Sequence, residues 1–77
     1  MTDVTYSRYL RTPQGVIYEV CERGQRLGFV LRIRVGAARR AHWFVADSDG
    51  VGAPLCFRTC WEAADFLRVL RDWAVAA

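Results

Sequence analysis

The sequence has no lysine: its eleven cationic side chains are all arginine, set against eight carboxylates and a single histidine. That lone His42 excludes a histidine-rich metal centre. Cys56 and Cys60, the one close cysteine pair, have a C-x3-C spacing that leaves a tetrahedral zinc site short of ligands. The three cysteines are odd in number, which argues against the fully paired disulfide framework of a small secreted protein. Cys21, Cys56 and Cys60 are expected instead as reduced, buried small hydrophobes, with oxidation able to bridge two copies through an odd thiol. No stretch reaches the roughly 18 apolar residues that cross a bilayer, and Met1 to Arg11 has no apolar run of the signal-peptide kind. The expectation is a cytoplasmic protein with no membrane partner.

Catalytic constellations are missing as well. Around His42 the expected strand neighbours are Arg34 and hydrophobes, with no Ser or Cys nucleophile and no orienting acid. Glu62, Asp65 and Asp72 fall on the solvated side of one helix rather than across a cleft. Asp47-Ser48-Asp49-Gly50 opens like a calcium loop, but Val51 to Phe57 supplies no carboxylate for the bidentate position. Gly24, Gly28 and Gly36 are spread over turns and a strand, and no G-K-[ST] follows them. The sequence points away from an enzyme and implies no cofactor and no metal.

What is present is a strong pattern of strands. At 77 residues and 53% hydrophobic, with three Trp, three Tyr and four Phe, the chain can build one core, and residues 1–77 read as a single domain. Strands are expected over 5–11, 16–22, 26–35 and 41–47, with a further short one at 55–57 and a helix over 60–76. The surest strand is Leu27 to Val35, where Leu27, Phe29, Leu31, Ile33 and Val35 alternate with Gly28, Val30, Arg32 and Arg34. Arg23-Gly24 supplies a two-residue turn before it, which pairs Val20 with Leu27, Tyr18 with Phe29 and Val16 with Leu31. A loop over Gly36 to Arg40 pairs Val35 with Ala41, Ile33 with Trp43 and Leu31 with Val45. Both registers place these residues on one inner face, and they set Arg32 beside Phe44 and Arg34 beside His42 on the other. Thr12-Pro13-Gln14-Gly15 reads as a β-turn and leaves the first strand's register open: a two-residue loop puts Tyr6, Arg8 and Leu10 outward with Arg32, a three-residue loop puts them inward.

Thr59-Cys60-Trp61-Glu62 is a capping box with Thr59 as N-cap. Ala63, Phe66, Leu67, Leu70, Trp73, Ala74 and Ala77 follow on one stripe, expected to cover the inner sheet face and to point away from Glu62, Asp65, Arg68 and Asp72. Trp61 lies opposite the stripe and is expected to tuck under the loop before the helix. The fold class is thus α+β, an antiparallel meander of four to five strands with one C-terminal helix packed on one face.

One helix covers one face of a sheet. The other face is therefore the expected partner-binding surface, with Arg32, Arg34, His42 and Phe44 on it and Arg39 and Arg40 in the adjoining loop. Guanidinium forks meet phosphate or carboxylate groups in pairs, and Phe44 supplies apolar area or a stacking plane. The strand-strand-strand-helix order is similar to the small three-stranded-sheet domains that read DNA, such as the arm-binding domains of phage integrases. In size, strand order and the F-x-T-x-x-E-x-x-x-F-L helix start at Phe57 to Leu67, the chain resembles the small anti-CRISPR proteins of phages and mobile elements. That resemblance implies a non-enzymatic, phage-type inhibitor that blocks a nucleoprotein complex, a CRISPR effector, through protein contacts. A net charge of +3 is a thin footprint for a phosphate track. A protein or nucleoprotein partner therefore ranks ahead of direct DNA binding, and a homodimer joining open faces or edges stands beside the monomer.

Overall fold

The computed structural model describes residues 3–76, with side chains described through residue 73. Five strands, β1 (Val4–Arg11), β2 (Val16–Glu22), β3 (Gln25–Val35), β4 (Arg40–Asp47) and β5 (Gly52–Phe57), precede one helix, α1 (Cys60–Ala76). The strands form a single antiparallel sheet in the order β1-β2-β3-β4-β5, the meander that short connections between sequential strands produce. The helix packs against β3, β4 and β5. The α+β class read from the sequence is the class observed. Among the described residues, no helix is long and apolar enough to cross a membrane.

The core lies between sheet and helix and is made of Val20, Leu27, Val30, Val45, Ala63, Ala64 and Leu67. Tyr18, Trp43, Phe57 and Phe66 pack around it, with the Phe57 and Phe66 rings 5.5 Å apart. The helix begins where the capping box places it. The Glu62 N–H donates to Thr59 Oγ1 at 3.2 Å, and the Thr59 hydroxyl donates to Glu62 Oε1 at 2.9 Å, satisfying a donor that the first turn would otherwise leave free.

The helix is rotated about its axis from the expected stripe. Arg71 Nη1 donates to Glu22 Oε1 at 2.6 Å, and Arg68 Nε lies 2.8 Å from Glu22 Oε2. Arg68 therefore faces β2 rather than solvent, and the two arginines draw the helix round until Ala63, Ala64 and Leu67 meet the sheet. Leu70 and Trp73 are turned off it, 39% and 75% exposed, and Trp61, 61% exposed, does not tuck under the preceding loop. Ala74 and Ala77, assigned to the same stripe, lie outside the residues whose side chains are described. The cysteines depart from expectation too: Cys56 is exposed, and Cys21 and Cys60 are half-buried.

The central strand carries the largest correction. Arg23 and Gly24 have φ of 52° and 80°, the geometry of a type I′ turn, and Glu22 pairs with Gln25 and Cys21 with Arg26 as a two-residue turn requires. The register then slips, and Val20 faces Gly28 instead of Leu27. Leu27 is the extra residue of a β-bulge and turns into the core. Gly28 makes the bulge possible: a Cβ there would stand 2.3 Å from the Ala46 carbonyl oxygen and 3.1 Å from Leu67 Cδ2. At the far end of β3, Val35 pairs with Arg40, not Ala41, which shortens the connecting turn by one residue. These two shifts cancel for β2 and β4, so Tyr18, Val20, Trp43 and Val45 face the helix as expected. The side chains of β3 alone are exchanged between the faces. In β1, Tyr6 pairs with Val20 and Arg8 with Tyr18, but Leu10 pairs with Ile17. An irregularity at Tyr9 thus sends Tyr6 and Arg8 to the helix side and Leu10 to the open side, a split that neither expected loop length provides.

Candidate functional site

Residues opposite one another on neighbouring strands share a face, so the registers assign both surfaces. One row, Leu10, Ile17, Leu31, Phe44 and Cys56, lies on the open face, and the adjacent row, Arg11, Val16, Arg32, Trp43 and Phe57, lies on the helix side. Arg34, opposite Ala41, joins the helix side, while His42, opposite Ile33, joins the open side. The expected surface of Arg32, Arg34, His42 and Phe44 is therefore divided between two faces.

The arginines divide as well. Arg23 pairs with Asp3, Arg26 with Glu19, and both Arg68 and Arg71 with Glu22. Asp47 is occupied with its own loop, accepting from the Asp49 and Val51 N–H groups at 2.9 Å each. Arg8, Arg11, Arg32, Arg34, Arg39, Arg40 and Arg58 have no carboxylate partner among the described residues. These seven gather toward one end of the sheet, where β1 and β5 finish, β3 ends and β4 begins. Asp3, Glu22 and Asp47 mark the opposite end, in the rows of Val4 with Glu22 and Gly28 with Asp47. At physiological ionic strength, charges separated by more than about 8 Å are largely screened from one another. A ligand at the arginine end consequently meets the local charge rather than the net +3.

The same end carries a projecting ribbon. The pairing of β2 with β3 stops at Val16 and Arg32, and that of β4 with β5 stops at Trp43 and Phe57. Ile33 to Val35 and Arg40 to His42 continue past both neighbours as a two-stranded arm closed by Gly36-Ala37-Ala38-Arg39, in a molecule 41 Å along its longest axis. Small side chains at the tip keep the arm thin. Arg34, Arg39 and Arg40 are exposed on it, and Arg34 Nη1 donates to the Arg39 carbonyl at 3.2 Å. At its base, the half-buried Arg32 holds its guanidinium 6.0 Å from the ring centroids of both Tyr18 and Trp43, a cation–π arrangement that fixes its position.

The open face has different chemistry. It is a concave groove of about 560 Å³ whose lining includes Tyr9, Ile17, Phe29, Leu31, Ile33 and Phe44, bordered by the Ser48 to Gly50 loop. Arg26 lies over the Phe29 ring at 4.9 Å and the Tyr9 ring at 5.9 Å while donating to Glu19 at 2.6 Å, so its charge is neutralised in place. Beside the ribbon, Cys56 Sγ lies 3.9 Å from His42 Nδ1, and Arg40 and Arg58 border the same shallow depression as His42. The sequence reading gave His42 no thiol neighbour, because it left the pairing of the fifth strand unassigned.

The structure thus keeps Arg32, Arg34, Arg39 and Arg40 at one end of the sheet but puts Arg32 and Arg34 on the helix side and His42 and Phe44 on the open side, with Arg40 beside His42. Arg8, Arg11 and Arg58 join the basic end unforeseen, and Ile17, Phe29, Leu31 and Ile33 form the unforeseen groove. One sequence signal pointed to the groove: Gly28, a glycine inside an otherwise apolar strand, is a mark of a bulge. No family model matches the chain, and no curated protein or solved structure matches it.

Proposed function

We propose that the chain is a nucleic-acid-binding domain that engages the phosphate backbone with its arginine end and lays the β3–β4 ribbon in a groove of duplex DNA. The observation that carries this reading is the segregation of seven carboxylate-free arginines at the end from which the ribbon projects. Arginine forks suit phosphate oxygens, and the major groove admits a two-stranded ribbon. The Gly36-Ala37-Ala38 tip adds little bulk, while Arg34, Arg39 and Arg40 line the part that would enter. The domain acts by binding and carries out no reaction.

Fluorescence anisotropy of labelled duplex and single-stranded DNA across a salt series tests this. The expected result is affinity that falls linearly with the logarithm of salt, at about −0.9 per phosphate neutralised on duplex. Replacing Arg34, Arg39 and Arg40 by Ala should weaken binding and flatten that slope by about 1 for each arginine that meets a phosphate, with the fold intact by circular dichroism. Absence of binding to either form at low salt rejects the reading.

A second reading has its own support in the apolar open face, since a large uncovered apolar surface marks a protein contact. In that reading the chain is a protein-directed inhibitor of a nucleoprotein effector, with the arginine end meeting acidic side chains. It predicts no DNA binding by the isolated chain together with a block on the effector's engagement of its target.

A further inference from the structure

We infer that the open groove is a binding site for a small organic cation, an amine or ammonium group carried on an aromatic or branched apolar body, with Asp49 as its counter-ion. The site stands independently of the nucleic-acid reading, because none of the seven carboxylate-free arginines lines the groove. Its volume of about 560 Å³ falls within the roughly 300–1,000 Å³ of small-molecule sites, which are mostly apolar with a few polar groups that orient the ligand. Ile17, Phe29, Leu31, Ile33 and Phe44 line it and are each only half-buried. The fold therefore leaves a continuous apolar wall partly in water, and an apolar body set against that wall removes it from water.

The sign of the ligand's charge follows from the two charged side chains among the lining residues, Arg26 and Asp49. Arg26 is neutralised by Glu19, to which it donates at 2.6 Å. Asp49 has no cationic partner among the described residues, and neither has Asp47 beside it. An anionic ligand would thus meet uncompensated negative charge at this rim, whereas an ammonium group is attracted to it. The aromatic lining favours the same sign, since ring faces attract cations, and Arg26 already lies 4.9 Å from the Phe29 centroid and 5.9 Å from that of Tyr9. The rim is also held in place before a ligand arrives: Asp47 Oδ1 accepts from the Asp49 and Val51 N–H groups, and the Asp47 carbonyl accepts from the Gly50 N–H at 2.9 Å. A loop fixed in this way loses little freedom on binding.

Isothermal titration calorimetry with three probes that share a naphthalene ring tests the inference: naphthylmethylamine as the cation, naphthalenemethanol as the neutral form and naphthoate as the anion. The wild-type chain is expected to bind the cation about three times more tightly than the neutral probe at low salt, the scale of one exposed ion pair, and added salt should close that gap. Asp49→Asn, at an exposed loop position, should bring the cation's affinity down to that of the neutral probe and leave the neutral probe's affinity unchanged. Phe44→Ala should weaken both by about tenfold, as removal of an aromatic contact does. Should Phe44→Ala fail to fold by circular dichroism, Ile33→Ala takes its place. The triple replacement of Arg34, Arg39 and Arg40 by Ala should keep the preference for the cation, whatever it does to DNA binding. Absence of binding by the cation overturns the inference, as does equal affinity for cation and neutral probe, a preference that survives Asp49→Asn, or binding indifferent to the groove substitution. Naphthoate bound more tightly than the amine, and lost in the groove variant, also overturns it and assigns the groove to an acidic ligand.

Discussion

Arg71 reaches across 49 residues of sequence to donate to Glu22 at 2.6 Å, and that bond ties the last turns of the helix to the end of β2. The hydrogen bond from Arg71, with the positive fields of Arg68, Arg71 and Arg23, holds the Glu22 carboxyl below its ordinary value of 4.5. A depressed folded-state value means that the carboxylate form favours the native state. Its contribution is fully present above the unfolded-state value and is lost as pH falls through the folded-state value. Denaturant titrations from neutral pH into the acid range should show Glu22→Gln less stable than wild type at neutral pH. The difference should shrink below pH 4.5; a constant difference would show that the pair does not couple to folding.

Leu67 and Leu70 are three residues apart and should respond in opposite ways to truncation. Leu67 is 1% exposed and Leu70 39%. Leu67→Ala should cost about 2–5 kcal/mol, a large share of the stability of so small a domain. Leu70→Ala should cost under about 1 kcal/mol when measured on the monomer. Thermal or urea unfolding at low protein concentration reads both, and equal losses would contradict the observed rotation of the helix.

Gly28→Ala should destabilise by about 1–3 kcal/mol, the usual cost of overpacking. The added carbon would press on the Ala46 carbonyl at 2.3 Å, a backbone atom of a central strand that cannot rotate aside. Gly24→Ala makes a useful contrast: nothing stands near its missing side chain, and only the φ of 80° opposes the change. Urea unfolding midpoints of the two variants should therefore place Gly28→Ala below Gly24→Ala.

Cys56 should be the first thiol to react with iodoacetamide and Cys21 the last. Cys56 is exposed and lies beside an imidazole nitrogen. Burial, the negative charge of Glu19 and a hydrogen bond to it raise the Cys21 thiol above its ordinary value, which lowers its thiolate fraction at any working pH. Peptide mapping by mass spectrometry over a short time course gives the order, and early labelling of Cys21 would contradict it.

Elements of this fold were legible in the sequence wherever the deciding interactions are local. Period-2 alternation identifies a strand, Thr59 and Glu62 identify the helix start within four residues, and Arg23-Gly24 identifies a turn by its own backbone needs. The faces were less legible, because a bulge is decided by what lies above it: Gly28 yields to Leu67, thirty-nine positions along the chain. The rotation of the helix was hidden for the same reason, since Arg68 and Arg71 form ion pairs with Glu22, far away in sequence. Arg32, Arg34, Arg39 and Arg40 remain grouped despite the exchange of faces, because adjacency along one strand and its turn survives a register slip. His42 and Phe44 were joined to Arg32 and Arg34 only by cross-strand register, and the slip separated them from those two, while His42 keeps Arg40 beside it along β4.

The bulge at Leu27 and Gly28 also has a meaning for descent. The β2–β3 hairpin adopts the bulged pairing, in which Phe29, Leu31 and Ile33 look outward; a regular pairing of the same strands would turn Arg32 and Arg34 outward instead. The absence of a side chain at a single position arbitrates between them. A lineage could turn this surface from greasy to cationic without altering any residue that the surface displays. For such a hairpin, homologues compared by the chemistry of aligned strand positions would look conserved while presenting opposite faces to the world.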